Sequence, residues 1–119
     1  MIPRLLFSFL LLGALLSGCK DEPQVPEGTL SEEKMSQILT DIHLLEARIG
    51  RLNMPSLDSS TVITEYLKGK IFKKYGTDSV AYNRSYKFYS TNPAFMERIY
   101  GETVKELEKR QKKKDYKGI

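Results

Sequence analysis

Among side chains suited to nucleophilic or general-base chemistry, this chain offers one thiol, Cys19, and one imidazole, His43. His43 sits beside Ile42 and one helical turn after Leu39, at the edge of an apolar stripe, with Asp41 and Glu46 nearby in sequence. Only Glu46, three residues on, shares its helical face. One imidazole and one carboxylate fall short of a metal site, which draws three or four convergent ligands. His43 therefore reads as structural or solvated. No serine lies at a telling spacing from it, no G-x-S-x-G elbow is present, and no glycine-rich loop could cradle a phosphate. Glu32-Glu33 falls at a helix start, where the macrodipole favours negative charge. These residues argue against an enzyme and imply neither a metal nor a cofactor.

Cys19 has a more specific context. Arg4 gives a short positive region, Leu5 to Leu16 an apolar run, and Ser17-Gly18 the small residues before the thiol. This is the grammar of an export signal, and the apolar run is too short for a permanent membrane span, which takes roughly 20 residues. Leu16-Ser17-Gly18-Cys19 resembles the processing site of a bacterial lipoprotein. That resemblance implies cleavage between Gly18 and Cys19, acylation of the thiol, and a cell-envelope protein anchored in the outer membrane by its N-terminal lipid. Each buried CH₂ contributes about 0.8 kcal/mol, and stable anchoring takes more than one chain. With its only cysteine acylated, the protein has no disulfide and relies on its apolar core.

The elements that must position everything else follow from periodicity. Residues 20–29 carry two prolines, a glycine and three acids around one Val, and read as an extended tether of about 3 Å per residue. Lys20-Asp21-Glu22 resembles the lysine-plus-acidic tag of lipoproteins exported to the Bacteroidetes cell surface; it equally suits an ordinary charged linker. Thr29-Leu30-Ser31-Glu32 is a capping box, with Ser31 a competing cap. Met35, Ile38, Leu39, Ile42, Leu45 and Ile49 then form one stripe up to Gly50. Residues 51–60 read as a loop. A second helix from about Ser60 to Tyr75 carries Ile63, Tyr66, Leu67, Ile71 and Tyr75 and stops at Gly76. A third, capped by Thr77 or Asp78, holds Tyr82, Tyr86 and Tyr89. Thr91-Asn92-Pro93 supplies an N-cap and a first-turn proline for a fourth, through Phe95, Met96, Ile99, Tyr100, Val104 and Leu107 and then polar to about Lys114. No segment alternates with period two. The fold class is all-α, a small bundle of about four helices after a cleaved signal peptide and a flexible tether. The divisions are 1–18 signal, 19–29 lipidated cysteine and tether, 30–108 helical domain and 109–119 basic tail.

Two interior glycines, Gly69 and Gly101, are either close helix contacts or tolerated surface positions. Tyr82, Tyr86 and Tyr89 share a helical face and serve either the core or a groove for a peptide or glycan. Lys109, Arg110, Lys112, Lys113 and Lys114 either form a solvated helix end or meet anionic lipid headgroups, a contact worth up to about 1 kcal/mol per basic residue. From Lys105 to Ile119 seven basic residues face three acidic ones, whereas residues 19–104 carry eleven against twelve. The domain is thus near neutral, the positive balance belongs to the tail, and nucleic acid is not an expected partner.

Leu30-Ser31-Glu32-Glu33-Lys34-Met35, Asp41-Ile42-His43-Leu44-Leu45-Glu46-Ala47, Lys74-Tyr75-Gly76-Thr77-Asp78-Ser79, Ser85-Tyr86-Lys87-Phe88-Tyr89, Asn92-Pro93 and Ile99-Tyr100 occur here in that order. The set resembles the small Bacteroidetes lipoproteins grouped as a domain of unknown function, over about Leu30 to Leu107. The resemblance implies a helical envelope lipoprotein and brings no catalytic residues. The expected role is binding: a protein-interaction or assembly module with an envelope protein as partner, or, alternatively, a glycan- or peptide-binding lipoprotein using the tyrosine face.

Overall fold

Ser31 turns the incoming extended chain into a helix: its hydroxyl accepts from the Lys34 N–H at 3.2 Å and opens α1, Glu32–Ile49. The computed structural model describes residues 21–116. Ser56 caps the next helix in the same way, accepting from the Ser59 N–H at 3.1 Å, so that α2 runs Leu57–Lys74. This start lies ahead of the expected one near Ser60, because Ser56, Asp58, Ser59 and Ser60 all qualify as caps by type. At the other end of α2, Gly76 takes φ 66° and the Thr77 N–H reaches back to the Phe72 carbonyl at 3.0 Å. This is the left-handed stop the sequence indicates. Asp78 then caps α3, Ser79–Ser90, through the Ala81 N–H at 2.8 Å.

The last helix, α4, spans Pro93–Tyr116 with proline at its first position. Asn92 does not cap it with its side chain as expected. The Asn92 amide donates backwards to the Phe88 carbonyl at 2.6 Å, and the Thr91 hydroxyl donates to the carbonyls of Lys87 and Phe88. Both side chains close the end of α3, which leaves the Asn92 carbonyl to accept the first N–H groups of α4, from Phe95 and Met96.

Side-chain pairs fix the topology. Glu32 with Arg98, Ser36 with Thr103 and Asp41 with Arg110 rise together along α1 and α4, so these two helices run parallel. Asp41 with Lys74 and Glu46 with Lys68 set α2 antiparallel to α1. The α1–α4 interface is the most extensive, followed by α1–α2. One core cluster joins Met35, Leu39, Tyr89, Phe95 and Ile99; a second joins Ile38, Ile42 and Phe72. Leu30 and Tyr82 pack against both. The α1 stripe is thus the spine of the fold.

Four small polar residues, Ser36, Thr40, Ser85 and Thr103, are also buried. Each hydroxyl donates within its own helix, to Glu33, Ser36, Ala81 and Ile99 carbonyls respectively, so none is left bare. Their small size lets helix backbones approach. Helix α2 departs most from its expected stripe. Its single buried anchor is Phe72, while Tyr66 is 62% exposed. The reason is length: α3 has 12 residues against 18 in α2, and its Tyr82 stacks on Phe72 at 4.9 Å between centroids. Tyr82 thus meets α2 near its C-terminal end, and the outer face of the N-terminal half stays open.

Candidate functional site

Three features on the bundle surface bear on function. The first is the approach segment. The Leu30 N–H donates to the Ser85 hydroxyl at 2.9 Å, and the Tyr89 hydroxyl donates to the Leu30 carbonyl at 2.7 Å. Ser85 and Tyr89, one turn apart on α3, thereby hold both backbone polar groups of one residue. Further back, the Arg84 guanidinium donates to the Gly28 carbonyl at 2.7 Å, and Gly28 takes φ 77°, a conformation suited to glycine. A side chain there would also meet the guanidinium, 2.8 Å from an added Cβ. At the front of the segment, Arg98 donates to both carboxylate oxygens of Glu22, at 2.6 and 3.1 Å, and to both of Glu32, at 2.9 Å each. The Arg98 hydrogen bond holds the Glu22 carboxyl below its ordinary range. The chain is therefore fastened to the bundle at Glu22, Gly28 and Leu30, within and just beyond the 20–29 stretch that composition reads as a tether.

The second feature is Asp41 on α1. It accepts from Lys74 Nζ at 2.7 Å, Tyr75 Oη at 2.8 Å and Arg110 at 2.7 Å, which joins α1, the end of α2 and the distal part of α4. Burial opposes its charge, but the hydrogen bonds from Lys74, Arg110 and Tyr75 outweigh that and hold its pKa below the ordinary 3.8. Arg110, which also binds Glu106 at 2.9 Å, is thus committed to the bundle and not free for a surface contact. The helix runs through residue 109 without a break. Lys109 lies 3.8 Å from Glu106, while Lys112, Lys113 and Lys114 are exposed.

The third feature is the open side of α2. Met54, Val62, Ile63 and Tyr66, with Asp58 and Ser59 at the edge, line a shallow groove of about 640 Å³. Val62 is 71% exposed, and Leu52 and Leu57, close in sequence to the lining residues Met54 and Asp58, are exposed as well. An apolar strip of this kind on a small domain is a surface that association would cover.

The tyrosines of α3 divide. Tyr89 is 2% exposed and belongs to the core, T-shaped against Phe88 and in contact with Phe95. Tyr82 lies against Phe72, and burial raises its phenol pKa well above 10. Tyr86 is the most exposed of the three, at 36%. The three therefore do not present a joint stacking platform. His43 stands on the face it shares with Glu46, 3.5 Å from that carboxylate, with its ring beside Tyr100. Among the described residues no three His, Cys, Asp or Glu converge as a metal site, and no helix is long and apolar enough to cross a membrane. Gly18, Cys19 and Lys20 lie outside the described residues; Asp21 is exposed. A Cβ on Gly69 or Gly101 would meet nothing within 4 Å, so neither marks a close helix contact.

Arg84 and Arg98 escape sequence reasoning, because their partners lie 56 to 76 residues away and no local pattern links them. The groove left one signal: Leu52, Leu57 and Val62 are apolar residues off the stripe assigned to α2.

Fold and surface together define a small antiparallel-and-parallel helical bundle with a docked N-terminal strap. Its sequence places it further: the chain belongs to the family described as a domain of unknown function, DUF4296, whose model matches residues 26–113. That match takes in the strap from Pro26 on, all of the first three helices and α4 past Arg110. No curated protein and no solved structure matches the chain.

Proposed function

We propose that this protein is a non-catalytic, lipid-anchored module of the outer membrane that works by docking another envelope protein on the apolar groove of α2. The groove carries the proposal. Val62 and Tyr66 each stay more than half exposed on a bundle that buries comparable residues elsewhere, and such area is stabilised by covering it with another apolar surface. The anchor half of the reading rests on Leu16-Ser17-Gly18-Cys19 and its upstream apolar run. The tyrosine face of α3 does not carry the role, since Tyr89 is engaged in the core.

The experiment is a comparison of the wild-type protein with Val62→Glu/Tyr66→Glu, both extracted from membranes in mild detergent. Both positions are exposed, so the variant keeps its fold and its thermal transition. The wild type should purify with one envelope protein at fixed stoichiometry, and the variant should purify without it. Equal recovery of the same partner with both proteins would remove the groove from the account.

A further inference from the structure

The strap fixes which end of the bundle lies next to the N-terminal segment. Among the described residues, Glu22 is the fastened one nearest Cys19 in the chain, three positions away. Even a fully extended chain spans at most about 3.6 Å per residue, so three residues reach no further than about 11 Å from Glu22. Glu22 in turn is held on Arg98, in the second turn of α4, beside Glu32 at the start of α1. Because α1 and α4 run parallel, both N-termini lie at this end, and the short connection places the C-terminus of α3 there too. The opposite end carries the α1–α2 connection, 18 residues of α1 away, which at 1.5 Å per residue is about 27 Å.

We infer that the bundle end formed by the start of α1, the start of α4 and the end of α3 is the membrane-facing surface, held against the headgroup layer by the Glu22–Arg98–Glu32 clasp. This rests on lipidation of Cys19. It deepens the proposed function, because the groove at Met54, Val62 and Tyr66 belongs to the far end and points the docking site away from the lipid. The exposed lysines 112–114, about 21 Å along α4 from Arg98, are likewise carried away from the anchor and are not the membrane contact. The clasp is an exposed ion pair, so it sets a position and not a large part of the stability. Leu30, Ser85 and Tyr89 supply the buried part of the hold.

The acylated Cys19 leaves a single introduced cysteine as the only free thiol, which permits a depth measurement on the full lipidated protein. Ala94→Cys, Asn53→Cys and Lys112→Cys are each labelled with an environment-sensitive fluorophore. The proteins are then reconstituted in phosphatidylethanolamine–phosphatidylglycerol vesicles doped with headgroup-spin-labelled lipid. All three positions are exposed. The label at residue 94 should lose intensity to the spin-labelled headgroups, while those at 53 and 112 keep theirs. Adding Arg98→Ala should restore intensity at 94, with circular dichroism unchanged.

Quenching at 53 or 112 equal to that at 94 overturns the assignment, as does quenching at none of the three in a protein that floats with the vesicles. A protein that lacks the acyl mass in mass spectrometry, or does not float, overturns the lipid-anchor reading itself. The two failures are therefore distinct.

Discussion

Tyr89→Phe isolates the hold on Leu30. The Tyr89 ring is 2% exposed and contacts Phe88 and Phe95, and phenylalanine preserves that packing. Only the hydroxyl is lost, and with it the 2.7 Å hydrogen bond to the Leu30 carbonyl. That carbonyl lies in a part-buried contact, so the loss removes a hydrogen bond and leaves an acceptor poorly satisfied, at a cost of about 1–3 kcal/mol. For a domain of this size each kcal/mol lowers the midpoint of thermal unfolding by roughly 4–8 °C. The assay is urea and thermal unfolding by circular dichroism in a Cys19→Ser background, which keeps any acylation of that thiol out of the measurement. The urea midpoint should fall with an unchanged slope, since the exposed area on unfolding is the same. Ser85→Ala, which removes the partner of the Leu30 N–H, should behave similarly. The double variant should lose less than the sum, because both side chains hold one residue. A Tyr89→Phe protein with wild-type midpoint would show that the strap is not fastened through Leu30.

Three further outcomes follow from the same packing. Gly69→Ala and Gly101→Ala should each raise stability by about 1 kcal/mol, since an added Cβ meets nothing within 4 Å and alanine is the better helix former; a lowered urea midpoint would contradict this. Asp41→Asn should flatten the acid side of the stability profile. The folded-state pKa of Asp41 lies below its ordinary 3.8, so its contribution is present in full above that value and is lost as pH falls through the folded value. The stability gap between wild type and Asp41→Asn should therefore be steady near neutrality and close in acid; a gap that widens in acid would be the wrong sign. Ser36→Leu should destabilise by about 1–3 kcal/mol through overpacking, because Ser36 is 7% exposed and its carbonyl faces the Thr103 hydroxyl at 3.4 Å; an unchanged unfolding midpoint would show that the α1–α4 interface is looser than described.

The helices were legible because their signals are local. Asp78, Gly76 and Pro93 each act within a few residues, as does Ser31, the competing cap that the structure uses in place of Thr29, and the α1 stripe is buried apart from the half-buried Leu45. The strap was not legible, because Glu22, Gly28 and Leu30 find Arg98, Arg84, Ser85 and Tyr89 only once α3 and α4 have folded back on α1. Composition reads residues 20–29 as free chain, and nothing within that stretch says otherwise. The same holds for Tyr82, Tyr86 and Tyr89: spacing puts them on one side of a helix, but the positions of Leu30 and Phe72 decide which rings are covered. Asn92 shows the opposite limit. Its type fits a cap, yet two helix ends compete for its side chain, and the end of α3 takes it.

The central claim is that the α2 groove meets another protein in the envelope. A photoreactive amino acid at Val62, activated in living cells, tests it most directly, with the same residue at exposed Glu108 on α4 as the control. The account predicts one discrete crosslinked species with another envelope protein from position 62 and none from 108. No adduct at 62, or the same adducts from both positions, would contradict it.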